Sequence, residues 1–414
     1  MHRLALLFLV LAAGPARAQT VTIPDRHPAV RRALQLIEQA EPATIDEQVA
    51  ICQVPAPPFK EQRRAEFYRT RMQALGLRNV RIDAEGNVIG ERPGSAPNGP
   101  VVVLSGHLDT VFPEGTDVTV RREGKLLKGP GIEDNCRGLA VILAVVRALD
   151  AAQVKTDASL FFVATVGEEG PGNLRGVRHL FEKELKGRIG HFISVDGEAL
   201  TFTRDAVGSY RYKVTFTGPG GHSFGAFGMP NPMHAMGRAI ARIAELTVPE
   251  DPKTTFNVGL VEGGTSVNSI PASATFQMDM RSESAAALDA LDAKFRAVVQ
   301  QSLQDEMARW PKSDVKLAVA LDKWGNRPAG AQPADGFIAR AAMETGRVLG
   351  FTSSAQKSST DANIPINLGI PAVTLGGGGS STGAHSLGET WDSTDSHRGT
   401  QWALLLAVTL AGVR

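Results

Sequence analysis

Val101-Val102-Val103-Leu104-Ser105-Gly106-His107-Leu108-Asp109-Thr110 is the stretch that decides the fold. An apolar, β-branched run closed by Ser-Gly predicts a buried strand of a parallel sheet. Ligands of such sheets gather beyond the carboxyl ends of the strands, where His107 and Asp109 sit. Two residues apart in extended chain, their side chains face one way, which suits an imidazole ligand beside a carboxylate. The second ring nitrogen of a metal-bound histidine is commonly held by a carboxylate or carbonyl, which fixes its tautomer. Taken alone, the pair reads as a surface histidine with a capping aspartate. Matching acid-rich strand ends downstream overturn that reading.

Two further buried strands follow the same pattern. Residues 159–166 end in Gly167-Glu168-Glu169, and residues 191–195 end in Asp196-Gly197. A tight loop at 129–134 leads into an apolar helix at 137–149, and a second helix is expected at 174–186. Upstream, residues 28–40 and 63–75 carry helical spacing, and 80–90 reads as two short strands turning at Glu85-Gly86-Asn87. This alternation predicts an α/β domain with a doubly wound, mostly parallel sheet. Near Asp205 the pattern changes. Residues 210–217 alternate apolar and polar, as a half-exposed antiparallel strand should. A helix at 232–245, strands at 255–261 and 274–280, a helix at 285–301 and a strand at 315–320 complete the order βαββαβ. That order predicts a ferredoxin-like α+β unit inserted into the core. Core signals resume with a helix at 335–349, a strand at 372–375 and a helix at 400–411. The expected division is a leader at 1–18, a catalytic core at 19–205 and 323–414, and a lid or dimerisation domain at 206–322.

His2-Arg3, the apolar residues 4–13 and Ala16-Arg17-Ala18 read as an export signal cleaved before Gln19. The apolar run is too short to span a bilayer comfortably, and no later stretch is long and apolar enough for a membrane helix. A periplasmic or secreted protein is therefore expected. The formal net charge is +1 and no basic cluster is present, which gives nucleic-acid binding no support. The two cysteines, Cys52 and Cys136, are read as free thiols.

Chemistry concentrates at His107 with Asp109, Asp134, Glu168-Glu169, Asp196 and, near the carboxyl end, His385. Carboxylates mixed with imidazoles, without paired cysteines, suit Zn²⁺, Mn²⁺ or Co²⁺. A two-metal centre needs a shared carboxylate and several terminal ligands, and this inventory supplies both. Neighbouring side chains at a strand end diverge, so one of Glu168 and Glu169 can ligate while the other stays free to accept a proton. Each position also has a plain structural reading. Glu168-Glu169 could be a solvated turn, Asp134 a helix cap, His385 a loop residue, His222 a turn histidine and Arg281 a surface charge. His27, His179, His191, His234 and His397 fit no ligand position and are read as structural. Asp361-Ala362-Asn363 is placed near the cleft without a role.

Gly106-His107-Leu108-Asp109-Thr110, Gly131-Ile132-Glu133-Asp134-Asn135, Gly167-Glu168-Glu169, Val195-Asp196-Gly197 and Ala384-His385-Ser386 follow one another as in the M20 family of metallopeptidases. The chain resembles its peptidase T-like (tripeptide aminopeptidase) branch in particular. The inserted unit adds Gly220-Gly221-His222-Ser223, Asn268-Ser269-Ile270-Pro271 and Asp279-Met280-Arg281, so the resemblance covers nearly all of the mature chain. It implies that His107 and Asp196 complete one metal site, that Glu169 and His385 complete the other, and that Asp134 bridges them. Glu168 would be the general base and Asp109 the partner of His107. His222 would stabilise the oxyanion, in many members across a dimer interface. Asn268 and Arg281 would hold the substrate's carboxylate or backbone, arginine by a bidentate fork. Many relatives carry lysine where this chain has Cys136. The activity implied is that of a homodimeric exopeptidase of short peptides with two divalent ions of zinc type. The alternative is an amidohydrolase or carboxypeptidase acting on N-acyl amino acids. A non-catalytic peptide binder would have no need of an unliganded base at Glu168.

Overall fold

Every residue of the strand Val101–His107 (β3) is buried, which only the middle of a sheet covered on both faces can provide. In the computed structural model, which describes residues 20–414, that sheet has eight strands; the leader read at 1–18 lies outside the described residues. From edge to edge the strands are β1 (Arg78–Ile82), β2 (Val88–Arg92), β6 (Leu160–Thr165), β3, β7 (Ile189–Val195), β16 (Ala372–Leu375), β8 (Phe202–Ala206) and β15 (Ala355–Ser358). The central four run parallel, while β2 and β8 join them antiparallel. Alternate side chains of each strand leave by opposite faces. Val102, Leu104, Phe162, Ile193 and Val373 enter one core. That core is covered by α1 (Pro28–Gln39), α2 (Glu41–Cys52), α3 (Gln62–Ala74), α4 (Cys136–Ala151), α8 (Phe337–Val348) and α10 (His397–Ala411). Val101, Val103, Phe161, Val163 and Phe192 enter the other, under α5 (Arg175–His179) and α9 (Asn363–Asn367). The sheet is doubly wound and mostly parallel, as the alternation of elements predicts.

Two local expectations are corrected. The helix expected at 174–186 is α5 followed by one π turn, Leu180–Glu184. Helix α2 has no counterpart in the sequence reading. Its buried face mixes Glu41, Thr44 and Gln48 with Ile45, Ile51 and Cys52, so polar residues interrupt the apolar stripe. A small antiparallel sheet was also unforeseen. It joins β4 (Arg121–Glu123) and β5 (Leu126–Lys128) to β17 (Ser380–Thr382) and β18 (Thr390–Asp392), in the order β17-β18-β5-β4.

The inserted unit has the expected βαββαβ order. Strands β9 (Gly208–Thr217), β11 (Thr254–Gly263), β13 (Ser273–Ser282) and β14 (Ala318–Arg327) form an antiparallel sheet in the order β11-β13-β9-β14. Its core of Tyr212, Val214, Phe276 and Met278 is covered by α6 (Pro232–Ala244) and α7 (Ala285–Ala308), through Ala239, Phe295 and Val299. Two-residue strands β10 (Gly221–His222) and β12 (Ser269–Ile270) pair apart from this sheet. The last lid strand, expected at 315–320, instead runs from Ala318 to Arg327. A bulge between Lys323 and Gly325 breaks its alternation, and a Cβ on Gly325 would meet Arg211 Cβ at 2.8 Å. Both lid connections pass one core side chain. Asn363 Nδ2 donates to the Val207 carbonyl at 2.9 Å and to the Pro328 carbonyl at 3.0 Å. Among the described residues no helix is long and apolar enough to cross a membrane.

The sheet's ligand edge depends on how closely α4 approaches β7. A Cβ on Gly138, in the first turn of α4, would lie 2.1 Å from the Val195 carbonyl oxygen and 2.0 Å from Asn135 Oδ1. Gly138→Ala is therefore expected to destabilise the protein by about 1–3 kcal/mol through overpacking. Chemical denaturation of the variant checks this, and unchanged stability would show that α4 is free to shift.

Candidate metal centre

β3, β6 and β7 finish at nearly the same level. His107, the last residue of β3, pairs in register with Thr165 at the end of β6. The residues that follow each strand therefore emerge over one edge of the sheet. Asp134 reaches the same edge from the loop before α4. The helix cap fixes it there: Asn135 Oδ1 accepts the Gly138 N–H at 3.0 Å, while Asn135 Nδ2 donates to the Val195 carbonyl at 2.9 Å. That bond fastens the start of α4 to the end of β7, one residue before Asp196.

Asp134 lies between two imidazoles. Its Oδ1 is 2.9 Å from His107 Nε2, and its Oδ2 is 3.0 Å from His385 Nε2. His107 Nε2 also lies 3.8 Å from Asp196 Oδ1, and His385 Nε2 lies 3.1 Å from Glu169 Oε1. The other nitrogen of His107 is 3.0 Å from the Asp109 carbonyl and 3.7 Å from Asp109 Oδ1. Potential ligand atoms of His107, Asp134 and Asp196 fall within 4.8 Å of one another, as do those of Asp134, Glu169 and His385, and those of His107, Glu168 and Glu169. Carboxylates outnumber cations here, which is the imbalance that divalent ions relieve. Two imidazoles, three terminal or bridging carboxylates and no thiol fit a pair of divalent metal ions, with Asp134 facing both.

The electrostatics agree with the geometry. Asp134 and Glu169 push His385 up to about 10, against some burial. Burial opposes a charge on His107, but Asp109, Asp134 and Asp196 outweigh it and raise its pKa. Burial likewise works against charge on Asp109; His107 and the backbone N–H groups of Glu169 and Glu168 nevertheless hold it below the usual range. Burial pushes Glu168 well up, with Arg327 and His107 pulling the other way. The Glu168 carboxylate takes its hydrogen bond from Arg327 Nη1, at 3.2 Å.

Several residues that shape the centre escaped the sequence reading. Glu389 is fully buried and accepts the backbone N–H groups of Gly131, Glu133 and Asp134 at 2.8, 2.9 and 3.3 Å. It thereby holds the loop that presents Asp134, four positions after His385. Gln48 and Cys52 of α2 reach the same loop, at the Ile132 carbonyl (2.7 Å) and the Pro130 carbonyl (3.5 Å). Asp361, which the sequence places near the cleft without a role, accepts from Thr165 Oγ1 at 2.5 Å, and burial raises its pKa to about 7. Cys136 is buried beside Cys52, whose thiol is pushed up by burial and by that neighbour. Both cysteines are free. His179 lies 4.0 Å from Asp83 and 3.8 Å from Glu184. Asp83 already accepts three backbone N–H groups and Glu184 is paired with Arg81, so this trio is a structural one.

The cleft above the ligands holds about 490 Å³ and is lined by Asp134, Glu168, Glu169, Asp196 and His385 together with Arg211, Arg281 and Arg327. Arg281 is thus brought to the centre, while its Nε binds Asp279 at 2.8 Å. His222 and Asn268 are not among the residues lining it. They lie together at the exposed β10–β12 tip, where the Ser223 N–H meets the Asn268 carbonyl at 2.9 Å.

Known proteins resemble this chain in part or whole. Residues 206–307 match the peptidase dimerisation domain of the M20 group, and residues 87–226 match peptidase family M28. The acetylornithine deacetylase of Myxococcus xanthus is 26% identical over 78% of this chain and 86% of its own. Carboxypeptidase G2 of Pseudomonas sp. (strain RS-16) is 26% identical over 77% of this chain and 76% of its own. A further relative, from Pyrococcus abyssi, is 33% identical but spans only 29% of this chain and 32% of its own length. Among solved structures, aminopeptidase PepT from Bacillus cereus superposes with a TM-score of 0.71 at 19% identity, covering 89% of this chain and 98% of the other.

Metal loading must displace protons. In the metal-free protein His385 stays charged up to about pH 10, far above the ordinary 6.5 of histidine. Metal affinity is therefore expected to keep rising with pH beyond 7 rather than level off near 6.5, with a proton released from this imidazole at pH 8. In the metal-free state the same pairing stabilises the fold fully below pH 6.5, and that contribution is lost as pH rises through about 10. Calorimetric titration of Zn²⁺ in buffers of different ionisation enthalpy measures the release. No proton released at pH 8 would refute the pairing.

Proposed function

We propose that this chain, whose residues 206–307 match the peptidase dimerisation domain and whose fold is that of PepT, is an M20-type peptidase: a dinuclear, zinc-dependent exopeptidase of short peptides, aminopeptidase-like, with Glu168 as general base. The observation that carries this reading is Asp134 lying between His107 and His385 while Glu168, in the same cleft, stays outside that bridge. His107 and Asp196 would hold one ion, Glu169 and His385 the other, and Asp134 would serve both. Asp109 orients His107 from behind. When bound, the ions polarise the scissile carbonyl and acidify water in the cleft. Glu168 accepts the proton of the attacking water and passes it to the leaving amine. Arg281 offers a fork to a substrate carboxylate, and Asn268, at the lid tip with His222, would contact the substrate backbone from the second subunit. His222 steadies the oxyanion. Its place at the lid tip, outside the cleft, favours donation from the second subunit of a homodimer. The leader read at 1–18 supports export, to the periplasm or beyond.

A second reading draws on Arg281, which lines the cleft and keeps its terminal nitrogens free of the hydrogen bond its Nε makes to Asp279. A guanidinium so placed suits a substrate whose carboxylate lies close to the scissile bond. That is the shape of an N-acyl amino acid or a carboxypeptidase substrate, and the deacetylase and carboxypeptidase relatives point the same way. Assaying free tripeptides against N-acetyl amino acids, before and after chelation and with Zn²⁺ or Co²⁺ restored, separates the readings. Chelator-insensitive activity, or none on either class, would overturn both.

Glu168→Gln is expected to keep both ions and lose turnover by about 10²–10⁴-fold. Metal analysis and kinetics on one preparation check this. Near-native turnover would sink the assignment. For the lid, an inactive Glu168→Gln subunit co-assembled with an inactive His222→Ala subunit should regain part of the activity. Dimers that recover none would place His222 in its own chain's reaction.

A further inference from the structure

The loop that carries Glu168 is gripped by the lid. Arg327 is the last residue of β14 and is buried at 5% exposure. Its Nη1 lies 3.2 Å from Glu168 Oε1 and 3.2 Å from Ser359 Oγ, and its Nη2 donates to the Glu168 backbone carbonyl. One residue earlier, the Asn326 N–H donates to Asn173 Oδ1 at 2.8 Å, and the Asn326 carbonyl accepts from Arg178. From the adjacent strand β9, Arg211 Nη1 donates to the Gly170 carbonyl at 2.9 Å. Arg211 is itself braced by Asp279 on β13, at 2.9 Å, and by the ring of Trp324, whose centroid is 5.5 Å away. Residues 168–173 are thus bound at three points by the exit end of the lid sheet.

Resting on the reading of Glu168 as the base, we infer that Arg327 is a positioning residue that the lid lends to the core, setting the direction of the Glu168 carboxylate. A planar fork suits this task. It reaches the carboxylate, the carbonyl of the same residue and Ser359 at once, so the side chain and the backbone of Glu168 cannot turn independently. A lysine would retain the charge but not this span. Nothing about the ligand set requires Arg327, which contacts none of the five proposed ligands by hydrogen bond. Its loss should therefore act on turnover before it acts on metal content. It also means that the exit strand of the lid and the proton-transferring group move as one body.

The test uses the full-length enzyme, with Zn²⁺ in excess and whichever amide substrate the wild type turns over. Arg327→Met is expected to lower kcat about 10–100-fold with KM nearly unchanged and both ions retained. Arg327→Lys should regain part of that loss. In the metal-free protein, Arg327→Met should also speed hydrogen exchange at the amides of residues 168–173. A kcat within about twofold of wild type would overturn the inference. So would a loss of metal that parallels the loss of turnover, with no recovery in Arg327→Lys. A wild type inactive on peptides would instead defeat the reading of the previous section, and the exchange measurement would still decide this one.

Discussion

The constraint on which the site depends is the burial of carboxylates. An ionised group taken out of water loses several kcal/mol even after its surroundings relax, and Asp134, Asp109, Glu389 and Glu168 each have a dedicated partner that offsets this. Asp134 has an imidazole at each oxygen. Asp109 and Glu389 take backbone N–H groups, and Glu168 takes a guanidinium. These partners are also the positioning devices. By accepting the N–H groups of Glu168 and Glu169 at 3.1 and 2.8 Å, Asp109 shapes the turn that presents both glutamates. Glu389 does the same for the loop of Asp134. Neutralising charge and building geometry are one set of bonds.

That dual use explains what the sequence made legible. Strand ends announce themselves, because an apolar β-branched run stops abruptly at an acid or a histidine, as at His107, Glu168 and Asp196. The doubly wound core and the inserted βαββαβ unit were legible for the same reason, since each rests on apolar periodicity. Helix α2 was hidden because its buried face is half polar: beside Ile45 and Ile51, Gln48 and Cys52 face inward to bind the loop of Asp134. Arg327 was hidden behind a bulge that interrupts the strand's alternation, so the lid's exit read as loop. The sequence places Asp361 and Asn363 near the cleft without a role because their partners, Thr165 and two backbone carbonyls, are distant in sequence. Cys136, placed where many relatives carry lysine, proves to be a core residue packed against Cys52.

The lid divides into two regions of opposite character. Its exit end is bound to the core through Arg211, Asn326 and Arg327. Its far tip is exposed, with Phe224 and Phe227 89% and 79% open to solvent and Val267 fully so. Large apolar side chains held in water next to His222 and Asn268 are costly unless another surface covers them. One end of the domain thus serves its own active site, and the other is dressed for contact.

The two lid connections meet at a single amide. Asn363 Nδ2 holds the Val207 and Pro328 carbonyls at once, so the chain leaves the core and returns to it at one point. In the history of such a chain, an insertion of this kind interrupts the host domain at one seam rather than two. The parts on either side of the seam can then diverge at their own pace. The core stays tied to the geometry of its ions, while the inserted cassette can be lengthened, reshaped or exchanged to change what the enzyme admits.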